Sequence, residues 1–294
     1  MIDLNKVLDL AVLWAKETGK LQMSYFRTQN LGISTKSNIS DVVTKVDKES
    51  ERYLIKNINE SFPSHDILGE ETGIHKANSK VDSETNTKSN TEVNSEENFA
   101  NKTEDNTKAS IKSLSEDKYR WVLDPLDGTN NYSQGLPIFV VSIALQCNEK
   151  TVLGVVYAPY LDELYTAKLG EGAFRNGQKI KVALAKELGA SILGTGFPYD
   201  KGENPDNNIS NFSKIVPNIR GIRRMGAAAY DLCCVASGFL DGYWELNLHI
   251  WDMCAAALIV EEAGGEVYHF RKDRGVSIIA GNSTIVKVLK DTIK

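Results

Sequence analysis

Residues 121–132 read Trp121-Val122-Leu123-Asp124-Pro125-Leu126-Asp127-Gly128-Thr129-Asn130-Asn131-Tyr132. An apolar run leads into Asp124, and Pro125, which lacks an N–H, is expected to stop regular strand pairing there. Two carboxylates stand three residues apart, with Gly128 and Thr129 directly behind them. A strand end that turns through Pro and Gly exposes backbone carbonyls and amides. Carboxylates with a free carbonyl suit a hard divalent cation such as Mg²⁺. Amides and a hydroxyl just after them suit a phosphate, above all at a helix start. Read alone, the stretch is equally a capped turn whose two acids satisfy local amides.

Three further acidic clusters change that balance. Asp41-Val42-Val43-Thr44-Lys45-Val46-Asp47 puts two acids and a hydroxyl before a helix. Gly69-Glu70-Glu71 ends a strand, and Trp251-Asp252 opens an Ala-rich helix. Each has a plain reading by itself: Glu70 or Glu71 as solvated surface, Asp47 and Asp252 as helix caps. Four such acids with apolar flanks are better explained together, as one shared metal site.

Around these clusters the hydrophobic periods assign the elements. Helical spacing covers 4–27, through Leu4, Val7, Leu8, Ala11, Val12, Ala15, Leu21 and Met23. Further helices are expected at 48–60 with Asp47 as N-cap, and at 227–238, 252–263 and 283–293. Strands are expected at 66–69, 119–124, 138–147, 152–158, 163–168, 172–175, 191–195, 241–246, 266–270 and 276–280. The strands 138–147 and 152–158 form a hairpin across Asn148-Glu149-Lys150-Thr151. Helices, then a strand meander, then a mixed half make an α+β or layered α/β protein with mixed or antiparallel sheets.

The chain has 294 residues, with 34 basic and 39 acidic side chains and a net charge of −5. Residues 76–117 stand apart, being mostly Asn, Ser, Thr, Glu and Lys; they hold six lysines and nine acids, a net of −3. Five large apolar residues in 42 positions fit no period, so disorder is expected for an insertion into one catalytic domain spanning 1–294. No apolar run reaches the ~18 residues of a membrane span. The N-terminus lacks the pattern of a signal peptide. The acidic balance argues against a nucleic-acid partner. Cys147, Cys233, Cys234 and Cys254 have apolar neighbours and no CxxC spacing, so they read as buried thiols of a reducing, cytoplasmic protein. His65, His75, His249 and His269 are scattered and read as structural or surface.

Taken in order, the acidic segments resemble the inositol monophosphatase family of Mg²⁺-dependent, Li⁺-sensitive sugar phosphatases. The segments 121–132 and Trp251-Asp252-Met253-Cys254-Ala255-Ala256-Ala257-Leu258-Ile259-Val260-Glu261-Glu262-Ala263-Gly264-Gly265 are similar to its two signature motifs. Residues 41–51, 67–71, 194–200, 223–233 and 242–252 extend the resemblance over the whole chain except 76–117. It implies a five-layer αβαβα sandwich, a homodimer and two to three Mg²⁺ per site. Glu70, Asp124 and the Leu126 carbonyl would hold one Mg²⁺. Asp124, Asp127 and Asp252 would hold a second, and a weaker third would sit near Glu70. Thr129 and Asp47 would orient a Mg²⁺-activated water and take its proton, with Glu70 close by. The amides of Gly128 and Thr129 would hold the phosphate. Asp127, Gly226, Ala227, Ala228 and Glu245 would meet the hydroxyls of the polyol. Arg223 would support this wall, with Arg224 its competitor. Glu245 reads equally as one face of a strand shared with Tyr243, and 226–229 as close helix packing. Many members of the family carry Ser or Thr where this chain has Ala227, which leaves an amide there but no hydroxyl.

The resemblance implies hydrolysis of myo-inositol monophosphate or a similar polyol or sugar phosphate. Rivals on the same fold are a histidinol-phosphate phosphatase, a fructose-1,6-bisphosphatase and a 3′(2′),5′-bisphosphate nucleotidase. Asn130-Asn131-Tyr132 looks more like the inositol and sugar branch. A different class of reading is a non-catalytic interaction protein that uses the polar insertion.

Overall fold

The computed structural model describes residues 2–77, 117–185, 187–271 and 273–293. Its elements run α1 (Leu4–Tyr25), β1 (Ser34–Thr35), β2 (Val42–Val43), α2 (Lys45–Ser61), β3 (Asp66–Gly69), β4 (Gly73–His75), β5 (Tyr119–Asp127) and α3 (Thr129–Ser133). Then come β6 (Val140–Cys147), β7 (Lys150–Ala158), β8 (Glu163–Lys168), β9 (Gly172–Arg175), β10 (Gln178–Lys179), β11 (Ile192–Thr195), α4 (Ile209–Ile215) and β12 (Gly221–Arg223). The chain ends with α5 (Ala228–Ala236), β13 (Gly242–Leu248), α6 (Ile250–Glu262), β14 (Glu266–Arg271), β15 (Val276–Gly281) and α7 (Ser283–Thr292).

Two sheets carry the architecture. The larger has the order β10-β9-β8-β7-β6-β5-β3-β4 and is antiparallel except for the β3–β5 pair. The smaller has the order β12-β11-β13-β15-β14, with β11 parallel to both β12 and β13. One core lies between α1 and α2 and the outer face of the large sheet, around Trp14, Leu54, Trp121 and Ile143. A second, built from α5 and α6, fills the space between the sheets. A third joins the small sheet to α4 and α7 through Trp244, Ile215, Ile285 and Leu289. The layers are therefore αβαβα. The nearly continuous apolar surface of α6 follows from this, since the helix is covered by a sheet on each side.

Several sequence expectations are refined. The N-cap of α2 is Thr44, and Asp47 is the third helical residue, whose carboxylate accepts from the Thr44 amide at 2.8 Å. The same shift moves Asp252 inside α6: His249 is the N-cap, and its amide donates to Asp252 at 2.7 Å. Pro125 does not end β5. The strand runs on to Asp127, with a register shift against β6 between Asp124 and Asp127. That shift is the bulge expected where a residue without an N–H sits in a ladder. The β6–β7 turn is tighter than four residues, because Cys147 pairs with Lys150. Asn148 and Glu149, both at positive φ, make it. Cys147 is only half-buried at that turn, whereas Cys233, Cys234 and Cys254 are buried; all four are free thiols. Met23 is exposed rather than part of the α1 apolar face, and Gln22 is buried in its stead, donating to the Pro125 carbonyl at 2.7 Å.

Of the expected 76–117 insertion, residues 78–116 lie outside the described residues. The flanking strands still fix its direction. The chain runs toward Glu70 along β3, away again along β4, and toward Asp124 along β5. It therefore departs from β4 and rejoins β5 at the sheet end remote from the carboxylates.

Candidate active site

The C-terminal ends of β3 and β5 and the start of α6 converge on one cavity of about 620 Å³. Glu70, Asp124, the Leu126 carbonyl region, Asp127, Gly128, Thr129 and Asp252 all line it. The loop after β11 and the start of α5 also line it, through Gly196, Tyr199, Gly226, Ala227, Ala228 and Asp231. Glu245 of β13 lines it too.

Each acid is held by backbone. The Leu126 amide donates to Asp124 at 3.0 Å, and the Ala229 amide donates to Asp127 at 2.7 Å. Glu70 is placed by its own amide, which donates to the Leu123 carbonyl at 3.2 Å. Glu51 of α2 supports that strand end by accepting from the Glu71 amide at 2.9 Å and the Thr72 hydroxyl at 2.6 Å. Gly69 permits this approach: a Cβ there would stand 2.5 Å from the Glu51 carboxylate. Gly128 is at φ 96°, where its missing Cβ would meet the Ile138 carbonyl at 2.9 Å. A side chain at that position would be strained and would clash.

Thr129 Oγ lies 2.8 Å from Asp47 and 2.9 Å from the Leu126 carbonyl. Its one proton serves only one of these acceptors at a time. Asp47 is buried, and its other oxygen accepts from Thr44 Oγ at 2.5 Å. Asn131 donates to the carbonyls of Ile138 and Met225 at 2.8 and 2.7 Å, which ties the turn after β5 to the Gly226 segment.

The electrostatics are those of crowded anions. Burial pushes the Asp124 carboxyl well above its ordinary value, and the charges of Glu70, Asp127 and Asp252 push it further. Asp252 is raised the same way, by burial and then by Asp127 and Glu70. Burial is also the main cause that lifts Asp127 to about 7. Glu70 and Asp47 are raised by burial too, against hydrogen bonds that favour their charged forms. Lys36, on the loop between β1 and β2, bonds to Glu70 at 2.8 Å and Glu71 at 2.5 Å. Burial disfavours its ammonium, but the two carboxylates outweigh that and hold its pKa above the usual lysine value.

This donor set fits a divalent cation. It is all oxygen and anionic, with Asp124 buried and Glu70, Asp127 and Asp252 half-buried, and a cation between the carboxylates removes the repulsion that raises them. The side chains are not already gathered into a cage: among the described residues no group of three or more His, Cys, Asp or Glu has that geometry. Asp124, Asp127 and Asp252 instead accept bonds from backbone amides, and Glu70 accepts one from Lys36.

The wall expected to meet a polyol differs from expectation at one arginine. Arg223 is exposed on the edge strand β12, and its guanidinium donates to the neighbouring Ile222 carbonyl at 2.9 Å. Arg224 lines the cavity, and its charge favours the ionised forms of Glu245 and Asp231. Residues alternate in direction along the chain there, so one position decides which arginine faces in. Glu245 and Tyr243 are both buried and bond to each other, so neither belongs to a solvated face. Lys36, Tyr199 and Asp231 line the cavity without having been singled out in the sequence. Tyr199 and Asp231 sit inside segments that carry the family resemblance. Lys36 had no local signal, because its hairpin is two residues wide. His249 also lines the cavity, stacked on Trp251 with ring centroids 4.7 Å apart.

The model of the inositol monophosphatase family matches residues 3–291. A Haemophilus influenzae protein named Nus factor SuhB is 35% identical, covering 99% of this chain and 97% of its own. The crystal structure of extragenic suppressor protein SuhB from Bartonella henselae superposes with a TM-score of 0.78 at 33% identity, over 98% of both chains. The structure of an inositol monophosphatase from Anabaena gives 0.76 at 33% identity, over 99% of this chain and 96% of that one. The chain belongs to the inositol monophosphatase family.

Proposed function

We propose that this chain is a Mg²⁺-dependent phosphomonoesterase acting on an inositol, polyol or sugar phosphate. The observation that carries the reading is the meeting of Glu70, Asp124, Asp127 and Asp252 in one cavity, with the Thr129–Asp47 pair beside them. Glu70, Asp124 and the Leu126 carbonyl would hold one Mg²⁺, and Asp124, Asp127 and Asp252 a second. When bound, these ions lower the pKa of water and neutralise the phosphate's charge. The residues do the rest. Thr129 holds a water by its hydroxyl and passes a proton toward Asp47, whose far oxygen is already fixed by Thr44. The Gly128 and Thr129 amides receive phosphate oxygens. Glu245, with Asp127 and the backbone at Gly226, Ala227 and Ala228, accepts hydroxyl protons of the alcohol.

Phosphate release from inositol 1-phosphate, fructose 1,6-bisphosphate, histidinol phosphate and adenosine 3′,5′-bisphosphate, with Mg²⁺ and with added Li⁺, tests this. Turnover of the first, inhibited by Li⁺, is expected. Asp124→Asn should lower it by roughly 10²–10³-fold with the circular dichroism spectrum retained. Unchanged turnover in that variant would refute the two-metal reading.

A second reading is that of a non-catalytic interaction protein, favoured by the name Nus factor that relatives carry. Under it, Asp124→Asn leaves function in the cell intact, and pulldown with and without residues 78–115 finds the partner. The proposed setting is a cytoplasmic homodimer, read out by sedimentation. No helix among the described residues is long and apolar enough to cross a membrane.

A further inference from the structure

One stretch of the cavity's lining belongs to a loop with no helix or strand. It reads Gly196-Phe197-Pro198-Tyr199-Asp200-Lys201-Gly202-Glu203-Asn204-Pro205-Asp206-Asn207-Asn208. Thirteen irregular residues, six of which line the cavity, are costly to hold in one shape, so their anchors matter. The inner anchor is buried. Asn208 donates to Thr195 Oγ at 3.0 Å and to the Gly196 carbonyl at 2.7 Å, and it accepts from Trp244 Nε1 at 2.8 Å. This closes the two stems of the loop on each other.

The outer anchor comes from the turn between β14 and β15. The Arg274 guanidinium donates to the Asp206 carbonyl at 2.6 Å and to the Asp200 carboxylate, and it lies 3.4 Å from the Asp206 carboxylate. Arg271 adds a contact to Asp206 at 2.8 Å. Asp200 and Asp206 bracket the outer half of the loop, and a planar fork can hold both at once where an ammonium cannot. Arg274 itself does not line the cavity, whereas Tyr199, next to Asp200, does. Tyr199 is 47% exposed, so packing alone does not fix it.

We propose that Arg274 is a positioning residue for the substrate's alcohol portion: by gripping Asp200 and Asp206 it holds the wall that presents Tyr199 to the cavity. The inference rests on the phosphatase reading above. A phosphate at the metal-binding carboxylates directs a bulky alcohol toward Glu245 and Tyr199, while a one-carbon alcohol does not reach them. Arg274 therefore acts on the binding of polyol esters and leaves the reacting centre alone.

The test compares wild type, Arg274→Ala and Arg274→Lys on inositol 1-phosphate and on methyl phosphate. For Arg274→Ala, KM for the inositol ester should rise about five- to tenfold, with kcat within about twofold. KM for methyl phosphate should not change, and Arg274→Lys should recover part of the loss. Amide hydrogen exchange across 197–207 should quicken in Arg274→Ala. Equal effects on both esters, or unchanged exchange, would overturn the proposal. If Arg274→Ala does not fold, Asp206→Ala is read by the same criteria, since it removes the carboxylate from the brace and lies outside the cavity lining. If the wild type hydrolyses neither ester, the phosphatase reading falls with the substrate part of this proposal. The exchange comparison still decides the brace.

Discussion

Glu245 shows how much a single residue's role depends on its neighbours. It is a buried carboxylate that burial pushes above its ordinary pKa, while the Tyr243 hydroxyl and the Arg224 charge pull it back down. Its seat exists because residue 196 is glycine: a Cβ there would overlap the carboxylate. Gly194, one step back on the same face of β11, likewise leaves only 3.1 Å between its missing Cβ and Asp231. Small residues at the end of β11 and just past it thus make room for two acids from two other elements. Gly196→Ala should displace Glu245 and raise KM for inositol 1-phosphate about tenfold, while KM for methyl phosphate stays near wild type. An unchanged KM for the inositol ester would mean that Glu245 does not touch the alcohol. The acids at strand ends were legible as residues, because charge beside apolar runs stands out. The glycines were not, since their purpose lies in what approaches them through space.

At the scale of elements, strand and helix periods gave most of the two sheets and the long helices. They missed short pieces whose existence depends on tertiary contacts. The β1–β2 hairpin, β12 and α4 have two, three and seven residues, too few for a period to emerge. The helix starts were misplaced by three residues at Asp47 and by two at Asp252, because an acid at the third position and an acid at the N-cap leave similar sequence traces. The difference matters for chemistry. As the third residue of α2, Asp47 is locked to Thr44 on one side and free to face Thr129 on the other. Thr44→Val should cost about 1 kcal/mol from the lost cap, or about 2–4 °C in melting temperature. It should also lower kcat, because Asp47 loses the hydroxyl that orients it. A full thermal effect with unchanged kcat would separate the cap from the reaction. The direction of β4 and β5 makes a second element-scale case. Both connections to 78–116 lie at the sheet end away from the acids, so deleting 78–115 should leave Mg²⁺-dependent turnover within about twofold. Near-complete loss in a folded deletion variant would assign those residues to the working enzyme.

Across the whole molecule, the acids that make the site also tax the fold. The large sheet, the small sheet and α6 bring Glu70, Asp124, Asp127, Asp252 and Glu245 into one volume, where burial and mutual repulsion raise their pKa values. A carboxylate raised in the folded state binds its proton more tightly there than in the unfolded chain, where Asp titrates near ~3.9. Between that value and about 7, the folded state of Asp127 holds more protons than the unfolded one. Stability therefore falls as pH rises through that window, by at most about 1.4 kcal/mol per pH unit for each such group. Asp124 and Asp252 act in the same direction. In EDTA, the melting temperature should be higher at pH 5.5 than at pH 8. Mg²⁺ competes with protons for these oxygens, so its stabilisation should be small at pH 5.5 and large at pH 8, flattening or reversing the slope. Asp124→Asn should weaken both effects together: less pH dependence in EDTA and a smaller shift with Mg²⁺. If the melting temperature in EDTA instead rises from pH 5.5 to 8, the carboxylates are already compensated by the protein. The cavity would then not be built around a missing positive charge, and the metal-dependent reading would lose its electrostatic basis.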